Sequence, residues 1–342
     1  MRCPAIVLPL LPLLIVPLAA CPATAPARPA PPAASTPAPE APAPMPPCLD
    51  LGDDPFAVAP MLERVTLDGD ALRFCRREAA GDACYAANLE SGALTTAPVP
   101  SDFGDAPDTS EPTPAPLRIS ADNRKAEVCD DHDRCRALKL PVRSAIITHA
   151  SVSAGGRHAA LTMAVGDAYL VQLYSLPTGK ALKRITINAD PYPCASADFL
   201  GDTLLVMQNI CAGPAGNAWL ADPTTAKRVA WVGGSPEFGA WSLWEEPVGD
   251  DLWAFREEAG REVVVQSVTD GRIVHRITLD DTLPRSDDGD VLADPSSGMM
   301  LRNKATGELV VVHDGPAQGT LVRIDPVAGR VVKIIAMPRC PR

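Results

Sequence analysis

The stretch "ASVSAGGRHAALTMAVGDAYLVQLYSLPTGKALKRITI", residues 150–187, decides the fold. Four short runs rich in β-branched and aliphatic residues occupy 150–152, 158–164, 169–175 and 182–187. Between them stand Gly155-Gly156, Gly166-Asp167 and Pro177-Thr178-Gly179. Each of these is a tight-turn signal, because glycine reaches positive φ and proline presets a turn. The spacing predicts four antiparallel strands in about forty residues, which is the size of one β-propeller blade.

The second half of this unit recurs along the chain. "YAANLESGALTTAPV" covers 85–99, "AWLADPTTAKRVAWV" 218–232, "VVVQSVTDGRIVHRITL" 263–279 and "LVRIDPVAGRVVKIIAM" 321–337. Each reads as strand, short polar turn, strand. A weaker copy, "CRALKLPVRSAIITH", spans 135–149. No segment after Leu49 carries a long amphipathic helical period. The expectation is an all-β chain: a propeller of six four-stranded antiparallel blades, with room for a seventh in the last interval. A two-sheet sandwich is the main alternative, and regular spacing disfavours it. The repeats resemble those of WD-repeat-like and quinoprotein-like propellers, a resemblance of architecture alone. Because each blade packs only on its neighbours, nearly 300 residues can form one domain without an oversized core.

The amino terminus is of another kind. Arg2 precedes an apolar run, residues 5–20, too short to span a bilayer as a helix and interrupted by Pro9, Pro12 and Pro17. The run ends Leu18-Ala19-Ala20-Cys21, which resembles the lipobox of bacterial lipoproteins. That resemblance implies removal of residues 1–20 and acylation of Cys21. It also implies a membrane anchor in the cell envelope, at the outer membrane facing the periplasm or the cell surface. The alternative is an ordinary secretory signal with an incidental Cys21. Residues 22–47 hold eleven of the 37 prolines and almost no charge. Such a stretch cannot bury enough apolar surface to offset its ordering entropy. The segment 21–47 is therefore expected to be a disordered linker, with a polyproline reach of about 80 Å, and 48–342 the propeller domain.

Eight cysteines follow Cys21, an even number suited to disulfides in an exported chain. Spacing pairs Cys75 with Cys84, Cys129 with Cys135 and Cys194 with Cys211, each across a hairpin. Cys48 and Cys340 remain, and their bond would lock first segment to last. No C-x-x-C or paired-histidine spacing supports zinc. On a chain-entropy account the long loop contributes up to about 5 kcal/mol and each hairpin bond roughly 2–3 kcal/mol.

Charge excludes one class of partner. Lysine plus arginine number 31 against 42 acidic residues, the wrong balance for duplex nucleic acid. No Gly-x-Ser-x-Gly, His-Glu-x-x-His or P-loop pattern occurs, and no catalytic, cofactor or metal residue is assigned from the sequence. His132 in "CDDHDRC" and the acids of "RSDDGD", 285–290, read as turns rather than cation loops. His149, His158, His275 and His313 fall in or beside expected strands, far apart in sequence. All five tryptophans lie between Trp219 and Trp253. Trp241, Trp244 and Trp253 are candidates for a binding rim for protein or glycan, or for wedges between blades. The reading is an anchored envelope propeller that binds or scaffolds another envelope molecule. The alternative is a propeller enzyme, which would gather ionisable groups at the channel.

Overall fold

A computed structural model describes Cys48 and residues 63–78, 81–99, 116–130, 132–187, 195–208, 217–236, 238, 244–257, 261–279, 282, 298–314 and 319–338. The regular elements whose bounds fall within the described residues are β-strands and the short 3₁₀ turn Val232–Gly234. The fold is an all-β propeller. Blade 1 holds β1 Glu63–Asp68, β2 Ala71–Glu78, β3 Gly81–Asn88 and β4 Leu94–Ala97. Blade 2 holds β5 Leu117–Ile119, β6 Ala126–Cys129 and β7 Cys135–Ala137. Blade 3 holds β8 Ile146–Val152, β9 His158–Val165, β10 Ala168–Ser175 and β11 Lys180–Ile187. Blade 4 holds β12 Ala195–Leu200, β13 Thr203–Gln208, β14 Asn217–Ala221 and β15 Arg228–Trp231. Blade 5 holds β16 Trp244–Pro247, β17 Leu252–Arg256, β18 Glu262–Ser267 and β19 Ile273–Thr278. Blade 6 holds β20 Gly298–Arg302, β21 Leu309–Asp314, β22 Gly319–Asp325 and β23 Arg330–Ala336. In every blade neighbouring strands in sequence are neighbours in the sheet.

Burial explains the composition of each strand position. Second and third strands are covered on both faces by adjacent blades, so they read as unbroken apolar runs. Leu309–Val312 of β21, Val263–Val265 of β18 and Ala159–Leu161 of β9 are all fully buried. Fourth strands alternate instead, with every second residue of β23 exposed. First strands pack against one another: β8 on β12, β16 on β20, β20 on β1. They therefore line the centre, and the fourth strands form the rim.

The blades are joined by apolar wedges. Leu117, Ala126, Ile147, Leu161 and Met163 join blades 2 and 3. Ala160, Val171, Ala197, Leu204 and Val206 join 3 and 4. Leu205, Leu220, Phe255 and Val264 join 4 and 5. Ala254, Val263, Leu309 and Val311 join 5 and 6. Phe74, Tyr85, Leu94, Val310, Leu321 and Ile335 join blade 6 back to blade 1. That last cluster brings the two ends of the repeat together. Across the same seam Asn303 Nδ2 donates to the Gly69 carbonyl at 3.0 Å, and Lys333 Nζ pairs with Glu90 at 3.0 Å.

The repeated endings owe their sequence to one turn. Asn88, Asp222 and Asp325 close the third strands of blades 1, 4 and 6, and each side-chain Oδ1 accepts two backbone N–H groups of the turn. Four residues later the chain takes positive φ, at Gly92, Ala226 and Gly329. Blade 5 uses Ser267 and Gly271 in the same places. This is the polar-then-glycine signature seen in the sequence.

Two expectations are revised. The copy at 135–149 is not a strand–turn–strand pair of one blade. Only β7 belongs to blade 2, which is three-stranded among the described residues, and "IITHASV" is the innermost strand of blade 3. Pro141 lies in the crossover, where its missing N–H and fixed φ oppose a fourth strand. The last interval, where a seventh blade had room, holds β20 and β21 of blade 6.

Candidate functional site

Three ionisable side chains stand on the innermost strands of consecutive blades: His149 on β8 contacts Asp198 on β12, and the Asp198 charge acts on Glu245 on β16. Strand alternation alone would not aim them this way. In β8, Ile147, Ala150 and Val152 all pack into the wedge between blades 2 and 3, although 147 and 150 differ in parity. A register shift between Ile147 and His149 reconciles them. The bulge turns His149 away from blade 2 and towards blade 4. There its Nε2 lies 2.6 Å from Asp198 Oδ1, both side chains about three-quarters buried (25% and 30% exposed). The strands are pinned beside this contact by the Phe199 N–H, which donates to Ser151 Oγ at 2.9 Å.

Asp198 shares its face of β12 with Leu200, which packs into the wedge between blades 4 and 5. Glu245 stands opposite, because its cross-strand partner Phe255 belongs to that same wedge. Burial pushes the Glu245 carboxyl up to about 7, with the Asp198 and Glu246 charges adding to the effect. Its Oε2 is buried and has no hydrogen-bond partner among the described residues. Glu246, one residue on, faces blade 6. Burial raises it as well, against a backbone N–H from Arg302 and the charges of Arg302 and Lys304.

Chemically, a carboxyl that exchanges its proton near neutrality can donate or accept it. An imidazole held by a carboxylate is an oriented proton acceptor. Two acids and a histidine in one half-buried place are the material of general acid–base chemistry. Among the described residues no group of three or more His, Cys, Asp or Glu side chains is arranged to hold a metal ion.

The residues singled out from the sequence fall in several places. Cys75–Cys84 and Cys129–Cys135 are bridged, each joining directly opposed residues of a hairpin. Cys48 is buried and disulfide-bonded. The other four described cysteines pair among themselves, so its partner lies outside the described residues. Cys21, Cys194, Cys211, Cys340, Trp241 and residues 285–290 also lie outside them. Trp244 opens β16, and Trp253 is half-buried against the wedge between blades 4 and 5. Trp219 and Trp231 meet edge to face at 5.8 Å on β14 and β15, with Arg228 stacked over Trp231. His132 sits in an exposed turn whose Asp130 binds Arg134 at 2.7 Å and whose Asp133 binds Arg118. His275 Nε2 reaches the Val327 carbonyl at 3.0 Å across blades 5 and 6.

Sequence reading named His149 without a partner and passed over Asp198 and Glu245. The signal available was spacing. The three stand roughly one blade apart, as ring neighbours must.

No protein-family model and no curated protein matches this chain. Solved structures similar to it include virginiamycin B lyase from Staphylococcus aureus, at 15% identity over 86% of this chain and 88% of that one, TM-score 0.37. A streptogramin B lyase is similar at 13% identity over 83% and 86%, TM-score 0.36. Likeness at this level carries nothing about what the present chain acts on.

Proposed function

We propose that this chain is an exported, lipid-anchored propeller of the cell envelope that binds an envelope molecule at its centre and performs general acid–base chemistry on it. The observation that supports this most is the His149–Asp198 contact on two inner strands, with the Asp198 charge acting on Glu245 of the next blade, whose Oε2 is buried and has no partner among the described residues. A structural core would fill that place with apolar side chains at lower cost. In the proposed chemistry Asp198 orients the His149 ring as the base, and Glu245 supplies or takes the second proton. The anchor at Cys21 and the linker 21–47 would hold the domain near its substrate.

The test is conversion. An envelope extract of the host is incubated with wild type, with Asp198→Asn and with Glu245→Gln, and its components are followed by mass spectrometry. At least one component should be consumed by wild type and spared by both variants. Turnover unchanged in the variants, or absent in wild type, would overturn the catalytic reading.

The scaffold reading keeps one observation of its own. All three residues of β7 are exposed, and among the described residues the strand pairs only with β6. An open edge of this kind can accept a strand from a partner protein. Cross-linking in intact cells that recovers one envelope complex, lost when Ala137, whose N–H faces the open edge, is replaced by proline, would support it.

A further inference from the structure

A second buried polar pair lies between blades 5 and 6, apart from the acid–base cluster. Arg256 ends β17, and His313 stands one residue before the end of β21. Their side chains face each other for a reason of register. Arg256 shares a face of β17 with Ala254, and His313 shares a face of β21 with Leu309 and Val311. All three of those apolar residues belong to the wedge between blades 5 and 6. Arg256 is 2% exposed and His313 3%. The Arg256 Nη2 lies 2.9 Å from His313 Nδ1.

The protons in this pair are assigned by elimination. A guanidinium only donates, so His313 Nδ1 accepts and its hydrogen resides on Nε2. Burial and the adjacent guanidinium hold the ring neutral, with its pKa lowered to about 3. This tautomer therefore persists over the working range of pH. Of the other N–H groups of the pair, two, Arg256 Nε and His313 Nε2, are buried and have no partner among the described residues. No carboxylate pairs with Arg256 among the described residues. The acid nearest in sequence on that face of blade 5, Glu246, is held by the Arg302 backbone and the charges of Arg302 and Lys304.

A buried guanidinium whose one partner among the described residues is a neutral imidazole is an unbalanced arrangement, since an uncompensated internal charge is strongly unfavourable. Unsatisfied buried donors in a native fold call for an absent acceptor. Here both orphan groups donate and the local charge is positive, so the missing group accepts only and is negative. The cross-strand partner of His313 is Gly298, on the innermost strand, which carries no side chain of its own beside the ring.

We propose that Arg256 and His313 form a binding site for a small oxyanion, a carboxylate or phosphate group, at the end of the wedge between blades 5 and 6. The guanidinium supplies charge and one N–H, and the imidazole supplies a neutral N–H that fixes orientation. The free ion and the same group carried on a larger envelope molecule share this chemistry.

The test uses the mature protein in oxyanion-free buffer at constant ionic strength. Sodium phosphate, sodium acetate and sodium chloride are titrated separately, and the thermal midpoint is read. Wild type should show a saturable rise of a few degrees with phosphate or acetate and none with chloride. Arg256→Met should lose that rise. Should Arg256→Met fail to fold, the imidazole N–H resonance of His313 in wild type replaces it as readout, and it should shift on oxyanion addition. An envelope extract depleted of inorganic phosphate and acetate, added to wild type, separates the sources. A rise there assigns the site to a carried group, and its absence beside a phosphate response assigns it to the free ion. No saturable response to either oxyanion, an equal response to chloride, or an unchanged response in Arg256→Met would overturn the site.

Discussion

At the scale of the residue, two buried groups make opposite demands on pH. Glu245 is raised by burial to about 7 in the folded chain, while an unfolded carboxylate titrates near 4.3. Between those values the folded state holds the proton that the unfolded state has lost. Its contribution is therefore fully present below the ordinary carboxylate range and is lost as pH rises through 7. Glu245→Gln should match wild type near pH 4 and exceed it above pH 7, by on the order of 1–3 kcal/mol. Urea denaturation across pH 4–9 measures the gap, which should widen with pH. His313 runs the other way. Its folded pKa lies near 3, below the unfolded value near 6.5. Stability is complete above 6.5 and falls as acid protonates the unfolded ring. His313→Gln, whose side-chain oxygen can still accept from Arg256, should flatten the loss of stability between pH 6.5 and 4. Denaturation of the two proteins over that window would show it.

At the scale of the element, the polar turn between third and fourth strands carries most of what the sequence announced. In blade 5 its glycine, Gly271, has φ +73°, and a Cβ there would stand 2.2 Å from Ala230 Cβ of blade 4. Gly271→Ala should destabilise the protein by on the order of 3 kcal/mol, joining left-handed strain to a clash between blades. A thermal melt reads this directly. The equivalent Ala226 of blade 4 tolerates φ +58°, and its methyl packs on the cluster between blades 3 and 4. Turn chemistry of this kind is local, which is why the strands at 158–165 and 168–175 could be read within a residue or two. The segment 135–149 departs from its expected form for the converse reason. Its apolar runs allow either one blade or a crossover between two, and only the packing of Ile147 and Leu138 in the wedge between blades 2 and 3 decides. The bulge that aims His149 is likewise set by that packing and has no residue signature.

At the scale of the whole molecule, ring closure rests on the wedge between blades 1 and 6 and on the ion pairs of Glu90 with Arg323 and Lys333. The proposed anchor is tested at the same scale. Cys21→Ser, expressed in the host and partitioned into detergent, should move from the detergent phase to the aqueous phase. Equal partitioning of mutant and wild type would remove the tether from the account.

Taken alone, the amino-acid order determined the strand period, the turns, two hairpin disulfides and the six-fold repeat. All of these depend on residues near one another in the chain. The lipobox expectation belongs to the same local class. Tertiary structure alone decided which side chains face the centre, which residues form the wedge that closes blade 6 on blade 1, and that His149 contacts Asp198 within reach of the Glu245 charge. It also decided that Arg256 contacts His313. The physical reason is that a propeller assembles its centre from strands one blade apart. A bulge or a wedge contact, neither visible in local sequence, chooses the face each side chain takes.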